Sequence, residues 1–147
     1  MKITEKDEKA MLVTDLVSKV LDGPEYQFEY NLLPTERFPF YKGKFLLKFP
    51  TIGDELMATR LGAQLRGFVS PMSYSAVQNI IFDAIAWLKV VTVGAPQWFV
   101  DTSSGNPEPA PEQMADLEKL MDIYQAWLNW RNSFRATSIE ESGGDAS

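Results

Sequence analysis

The stretch Phe-Tyr-Lys-Gly-Lys-Phe-Leu-Leu-Lys-Phe-Pro-Thr, residues 40–51, contains a strand pattern that runs directly into a helix start. Phe45, Leu47 and Phe49 occupy every second position, which is the period of a half-buried strand. Pro50 and Thr51 follow, and threonine is a favoured N-cap residue with two acids in the next turn. This change of period predicts a chain that mixes strands with helices.

Upstream of this stretch, the same strand period recurs. Tyr26, Phe28 and Tyr30 alternate with polar residues, so we expect an antiparallel β-hairpin near residues 26–49. Before it, residues 4–21 have the pattern of an amphipathic helix that ends at Gly23-Pro24. Its apolar stripe consists of Val13, Leu16, Val17, Val20 and Leu21.

Downstream, the pattern predicts three more helices. The first extends from Thr51 to about Arg66, and its predicted buried stripe is Ile52, Leu56, Leu61 and Leu65. The second spans roughly residues 73–93 and is apolar almost all round, which is typical of a central helix. Ile81 lies on its richest apolar stripe, so Ile81→Asp is predicted to unfold the protein or leave it insoluble.

The last predicted helix begins near Pro111 and ends at about Arg135. Its predicted seam repeats at alternating steps of three and four, a spacing typical of coiled coils. The residues of this seam are Met114, Leu117, Met121, Tyr124 and Leu128. Residues 136–147 are mostly acidic, serine and glycine, so we expect a disordered acidic tail.

Together these patterns predict an α+β fold, mainly α, with about four helices and one antiparallel β-hairpin near residues 26–49. A chain of 147 residues is long enough for one hydrophobic core. We therefore expect a single compact domain over residues 1–135.

The composition argues against several function classes. The chain has no cysteine and no histidine, so it lacks the usual soft-metal ligands and the commonest proton shuttle. Its net charge of −6 argues against nucleic acid, because phosphate binding needs clustered Lys and Arg. Residues 76–93 approach a membrane span in length, but Asp83 and Lys89 interrupt them. We expect a cytoplasmic protein without metal or cofactor.

Acidic residues are the remaining candidates for catalysis. Asp83 is the best case, since it lies in an apolar sequence, and Glu55 or Asp54 could complete a carboxylate pair. Such an acid more often caps a backbone group, pairs with a cation such as Lys89 or Arg60, or lies on the wet face of its helix. The sequence therefore favours a protein that is not an enzyme.

Aromatic residues are concentrated at the end of the last predicted helix. Trp and Arg dominate protein interfaces, so this segment is a candidate partner-binding site. Its residues are Trp127, Trp130, Arg131, Phe134 and Arg135. Trp130 falls about 200° around the helix from Leu128, which argues against burial in the same seam. In the alternative interpretation, the three aromatic residues pack against the predicted strands.

Three segments give the chain a resemblance to the tail assembly chaperones of long-tailed (siphovirus-like) bacteriophages. The first is residues 40–51, an aromatic strand that leads into a capped helix. The second is residues 94–99, which end a central helix on Pro-Gln-Trp-Phe, similar to a P-x-W-F motif of that family. The third is residues 130–135, Trp-Arg-Asn-Ser-Phe-Arg, similar to the family's aromatic ending. The resemblance covers about residues 38–135.

The resemblance implies a non-structural protein that coats the tape-measure protein and helps recruit tail-tube subunits. A long helical protein with exposed apolar seams aggregates unless amphipathic proteins mask it. Contact with another subunit of the same chain stays open as an alternative. Two other functions also stay open: an immunity or anti-defence inhibitor that binds a basic enzyme, and a small carboxylate-using enzyme.

Overall fold

The computed structural model describes the backbone of residues 26–146 and the side chains of residues 26–134. The predicted helix at residues 4–21 lies outside the described residues. The described strands are β1 (Gln27–Leu32), β2 (Gly43–Lys48), β3 (Thr92–Gly94), β4 (Val100–Asp101) and β5 (Glu108–Pro109). The described helices are α1 (Ile52–Leu65), α2 (Ala76–Val91) and α3 (Leu117–Ala146). The α+β class is therefore confirmed, with three of the predicted helices in the described part.

The predicted hairpin is confirmed. β1 pairs antiparallel with β2, so that Phe28 lies opposite Leu47 and Tyr30 lies opposite Phe45. The sheet also has a strand that the sequence did not predict, because β3 pairs antiparallel with the other edge of β2. Thr92 and Val93 of β3 follow α2 directly and were predicted to be its last turn, which Gly94 was predicted to end. β2 is therefore the central strand, and the side chains of Phe45 and Leu47 are fully buried.

Both helices that follow the hairpin begin with reciprocal caps. The backbone N–H of Asp54 donates to the hydroxyl of Thr51 at 3.1 Å, and the N–H of Thr51 donates to the Asp54 carboxylate at 2.9 Å. Ser75 and Gln78 form the same arrangement at the start of α2. Each pair satisfies two backbone donors that a helix end leaves open. The predicted cap of α1 at Thr51 is confirmed.

The core lies where the sheet, the C-terminal half of α2 and the first turns of α3 meet. Its fully buried side chains include Phe45, Leu47, Leu88, Val91, Phe99, Ile123 and Trp127. Ile81 is only half-buried and lies outside this core cluster. The predicted depth of Ile81 is wrong because the first turns of α2 extend beyond the part of the helix that the sheet and α3 cover.

The predicted orientation of α1 is wrong. Its buried residues are Ala58 and Gly62, whereas Ile52 and Leu56 point outward. α1 packs mainly against α2. A carbon added at Gly62 would lie 2.9 Å from the Arg66 guanidinium, so there is little room on this face. Small residues permit the close approach, and Ile52 and Leu56 lie about 80–160° away from them around the helix axis.

The predicted seam of the last helix is also displaced. The chain forms a short 3₁₀ turn at Pro111–Gln113, and α3 begins only at Leu117, which is exposed. The buried residues of α3 are Leu120, Ile123, Tyr124 and Trp127. The helix continues to Ala146, so its predicted end at about Arg135 is wrong. The division into a domain of residues 1–135 and a disordered tail stays a prediction.

Candidate functional site

The aromatic end of the last helix is part of the folded domain. Trp127 is fully buried, and its indole N–H donates to the backbone carbonyl of Lys48 at 3.1 Å. Its ring lies 5.2 Å from the ring of Trp87, measured between centroids. The guanidinium of Arg131 lies over both rings, at 5.1 Å from Trp87 and 5.5 Å from Trp127. Trp127 is therefore a core residue and is not accessible to a partner.

Trp130 and Phe134 pack against the strands, as in the alternative interpretation. The ring of Trp130 stacks on Phe28 at 5.5 Å, and the ring of Phe134 stacks on Tyr26 at 5.9 Å. Phe49 contacts both rings edge-on, at 5.9 and 5.2 Å. Both side chains are half-buried. The side chain of Arg135 lies outside the described residues, and a role of these residues in partner binding stays a prediction.

The geometry of the helix explains why Trp130 reaches the strands. At 100° per residue, Trp130 and Phe134 lie about 60° and about 20° from Trp127 around the axis. The angle measured from Leu128 was misleading, because the face that contacts the core centres on Ile123 and Trp127 rather than on Leu128.

We expect the double change Trp130→Ala and Phe134→Ala to destabilise the isolated protein. Truncation of a fully buried aromatic residue costs about 3–5 kcal/mol, and two half-buried rings together lose a similar amount. Thermal unfolding monitored by circular dichroism measures the effect, and Asn132→Ala, an exposed change between them, is the control. An unchanged melting temperature, combined with loss of a partner complex, would instead assign the two rings to an interface.

The three candidate acids lie in different settings. Asp54 caps α1 and accepts a hydrogen bond from the Lys48 ammonium at 3.3 Å. Glu55 is exposed in the first turn of α1. Asp83 forms an ion pair with Arg66 at 3.0 Å, rather than with Lys89 or Arg60. Asp54 and Asp83 therefore have structural partners in this fold.

Two tyrosines have shifted pKa values, the buried Tyr124 and the half-buried Tyr30. Burial, with a smaller effect of the Asp83 charge, raises the pKa of Tyr124. Burial and the charge of Asp122 likewise raise the pKa of Tyr30. Both phenols therefore stay neutral at physiological pH, and they act as packing residues of the core.

Arg66 holds α1 and α2 together as a helical hairpin. Its guanidinium donates to the side chain and backbone carbonyl of Asn79, at 2.9 and 3.2 Å, and lies 5.2 Å from the ring of Phe82. The Tyr74 hydroxyl donates to the backbone carbonyl of Arg66 at 2.8 Å. Only 8% of Arg66 is exposed. These bonds make the connection between the two helices a well-defined structure.

Large apolar side chains are exposed along this hairpin. They occur on α1, in the connection and on the first turns of α2: Ile52 (78% exposed), Leu56 (68%), Phe68 (75%), Val69 (48%), Met72 (95%), Val77 (63%) and Ile80 (47%). We call residues 67–80 the hairpin tip. Phe68, Val69 and Met72 lie within five consecutive residues, and soluble proteins seldom expose apolar residues clustered in this way without a use for them. This surface is the candidate functional site.

The backbone at the tip directs an aromatic ring outward. Phe68 has a φ of 60°, the positive-φ conformation that bulky residues rarely adopt, and it follows Gly67 at 68°. Such a conformation costs of order 1–3 kcal/mol, and such outliers cluster at functional sites. Next to Phe68, the surface has a hollow of about 370 Å³. It is lined by Thr59, Ala63, Arg66, Phe68, Val69, Ser70 and Pro71.

The hairpin tip also contains no charged residue. From Gly67 to Phe82 the chain contains no Asp, Glu, Lys or Arg, although its net charge is −6. The core of a protein interface is typically depleted of charged residues and enriched in aromatic residues and Met. This charge-free run was the signal that could have identified the site from the sequence. It was missed because the large residues of α1 were expected to be buried.

Two further findings concern membranes and metals. Within residues 26–146, no helix is both long enough and apolar enough to cross a bilayer. The described part of the chain also contains no cluster of three or more acidic residues that could hold a metal ion.

The segments that carry the family resemblance have structural roles in this fold. Residues 40–51 form the central strand β2 and the cap of α1. At residues 94–99, the indole N–H of Trp98 donates to the Lys42 carbonyl at 2.9 Å, and Phe99 is buried. In comparisons with protein-family models, curated proteins and solved structures, nothing matches this chain.

Proposed function

We propose that this chain is a non-enzymatic tail assembly chaperone that binds apolar helical segments of a tape-measure protein in the host cytoplasm. The exposed apolar surface of the α1–α2 hairpin carries the proposal. The resemblance of residues 38–135 to tail assembly chaperones supports the identity of the partner, and recruitment of tail-tube subunits follows from the same resemblance. No catalytic step or cofactor is part of this proposal.

The shape and chemistry of the hairpin suit a helical partner. An amphipathic helix binds an apolar surface through residues spaced three and four apart. α1 has 14 residues and so measures about 21 Å, close to four turns of a partner helix. The uncharged tip imposes no ion-pair requirement on that helix. A chaperone that coats a long protein needs this tolerance, because it must bind many segments of different sequence.

A chaperone of this kind would bind its partner through a different surface from an immunity-type inhibitor. An inhibitor of a basic enzyme would contact its target through acidic residues, because complementary charge gives specificity and fast association. The segment from Gly67 to Phe82, which includes the hairpin tip, contains no acidic residue. The two functions also differ in stoichiometry, since a chaperone of this kind binds in many copies along one elongated partner.

We expect the double change Phe68→Asn and Met72→Gln to abolish the chaperone activity without unfolding the protein. Both side chains are exposed, and Asn tolerates positive φ better than Phe, so the free energy of unfolding should change by less than about 1 kcal/mol. Solubility of a co-expressed tape-measure fragment measures the activity. We expect the wild-type chain to keep the fragment soluble and the variant to leave it in the pellet.

Val93→Thr is the matched control, since Val93 is an exposed apolar residue on β3, which follows the C-terminal end of α2, whereas the hairpin tip lies at the N-terminal end of that helix. It should retain full activity. Mass determination of the soluble wild-type complex gives the number of copies for each fragment. A folded tip variant that still keeps the fragment soluble would refute the proposed surface. A one-to-one complex would argue against coating.

A further inference from the structure

A polar hollow lies between α1 and α2, on the side of the hairpin that also carries the hollow beside Phe68. Its volume is about 190 Å³, several times the roughly 30 Å³ that one water molecule occupies. The residues that line this polar hollow include Thr59, Gly62 and Arg66 from α1 and its C-cap, and Asp83, Ala86 and Trp87 from α2. Thr59 and Arg66 also line the hollow beside Phe68, so the two hollows adjoin.

Two N–H donors of the Arg66 side chain are not used by the fold. A guanidinium has five N–H donors. The Nε donor goes to the side chain of Asn79, and the two Nη2 donors go to the backbone carbonyl of Asn79 and to Oδ1 of Asp83. No acceptor within residues 26–134 is bonded to Nη1 of Arg66. Because this side chain is only 10% exposed, the two Nη1 donors are a cost to the fold unless something in the polar hollow binds them.

Glycine at position 62 keeps these donors open to the polar hollow. A carbon added to Gly62 would lie 2.9 Å from Nη1 of Arg66 and 3.9 Å from Oδ1 of Asp83, so a side chain there would fill this space. Nη1 also reaches solvent, because among the described side chains only the Thr92 hydroxyl is both sealed and without a partner.

Asp83 adds an acceptor beside these donors. Its Oδ1 is bonded to Arg66, its side chain is 51% exposed, and no donor within residues 26–134 is bonded to its Oδ2. The polar hollow therefore presents a positively charged donor next to a negatively charged acceptor.

This pair of opposite charges favours a neutral ligand. A carboxylate would be attracted to Arg66 but repelled by Asp83, and an ammonium group would be repelled by Arg66. A carboxamide offers both groups that the polar hollow needs, since its oxygen accepts and its NH₂ donates. Hydrogen bonds to charged partners are also stronger than those between neutral groups. In a helical partner the backbone groups are already bonded to one another, so a side chain must supply the carboxamide.

We propose that the polar hollow binds the side-chain carboxamide of a glutamine or asparagine on the partner helix. The carboxamide oxygen accepts from Nη1 of Arg66, and the carboxamide NH₂ donates to Oδ2 of Asp83. The contact adds a preference for segments that carry such a residue, which the uncharged hairpin tip alone does not provide. That the partner is a helix rests on the proposed function, whereas the chemistry of the polar hollow does not.

Model helical peptides measure this preference. Each peptide has a leucine stripe at spacings of three and four, and glutamine is placed at each stripe position in turn to find the position that gives the tightest binding. At that position, glutamate tests the effect of charge, and methionine tests a side chain of similar length without the amide. We expect the glutamine peptide to bind at least about tenfold more tightly than either, as measured by fluorescence anisotropy.

Asp83→Asn should reverse the preference between glutamine and glutamate. The variant keeps an acceptor for Arg66 but removes the carboxylate that balances its charge, so the glutamate peptide becomes the tighter ligand. Circular dichroism verifies that the variant is folded. Glu118→Gln is the matched control, because it removes one negative charge at an exposed position in the first turn of α3, outside the polar hollow. It should keep the wild-type preference.

Thr59→Leu is a second variant that does not disturb the ion pair. Thr59 is exposed at the rim of the polar hollow, and a leucine there should fill part of the space. We expect this variant to bind the glutamine and methionine peptides equally. It tests the polar hollow even if Asp83→Asn does not fold.

Three outcomes would overturn the inference. Equal binding of the glutamine and methionine peptides by the unchanged chain would mean that the polar hollow holds only solvent. Tighter binding of the glutamate peptide by the unchanged chain would identify an anion site instead. An unchanged preference in folded Asp83→Asn or Thr59→Leu would place the carboxamide contact elsewhere.

Failure of the proposed function would have a different signature. If no peptide binds, including one with leucine at every stripe position, the apolar surface is contradicted. The polar hollow is then tested by itself with propionamide and propionate, through the nuclear magnetic resonance signals of the Arg66 side-chain N–H groups. A shift with propionamide alone would support the polar hollow as a carboxamide site, and any other result would overturn it.

Discussion

Leu88→Asp is expected to leave the protein unfolded, whereas Ile81→Asp should leave it folded. The two residues are seven positions apart and lie within about 20° of each other around the axis of α2. Leu88 is fully buried in the core, and Ile81 is half-buried outside it. An unpaired charge at a fully buried position costs several kcal/mol, which is comparable to the roughly 5–15 kcal/mol stability of a domain.

Far-ultraviolet circular dichroism and size-exclusion chromatography measure this difference. We expect Leu88→Asp to lose its cooperative unfolding transition, and Ile81→Asp to retain it at a reduced melting temperature. Leu88→Ala separates charge from lost volume, since a buried Leu→Ala change costs about 2–5 kcal/mol. If Ile81→Asp unfolded the protein and Leu88→Asp did not, the covered part of α2 would lie at its other end.

The second large effect is expected for Trp127→Ala, with a loss of about 3–5 kcal/mol in the free energy of unfolding. Trp127 is fully buried, and it joins α3 to the sheet through its bond to the Lys48 carbonyl. The change removes the packing with Trp87 and also leaves that carbonyl without its indole donor. Chemical denaturation monitored through the remaining tryptophans gives the value.

Trp127→Phe separates the two contributions. It retains a ring in the core but removes the donor, so we expect a smaller loss of about 1–3 kcal/mol. Gln125→Ala is the control on the same helix, because Gln125 is exposed and its hydrogen bond goes to Asn129, four residues further along α3. A loss for Trp127→Ala as small as that of the control would mean that α3 does not depend on this anchor.

The sequence could predict features that depend on neighbouring residues. The alternation of residues 26–31 and 45–49 indicated the hairpin, and the structure pairs these strands. The cap of α1 depends on Thr51 and Asp54, which are three residues apart, so local chemistry was sufficient. The α+β class follows from the same local periodicities.

The candidate site could not be predicted in the same way. The partner-binding residues proposed from the sequence were chosen for their type, and Trp127, Trp130 and Phe134 share one helix face that packs against the sheet. The exposed hairpin surface depends on which face of α1 approaches α2. A pattern of apolar residues identifies one face of a helix. It does not predict which other element of the fold packs against that face.

By itself, the sequence determined the α+β class, the β-hairpin followed by three helices, and the composition that argues against nucleic acid and thiol or histidine chemistry. The tertiary structure decided three further features: the strand β3 beside β2, the faces of α1 and α3 that are buried, and the exposed hairpin tip. The physical reason is that periodicity and capping act over a few residues. Burial is instead decided by close packing between distant elements, and at Ala58 and Gly62 small size brings two helices together and leaves the larger residues outside.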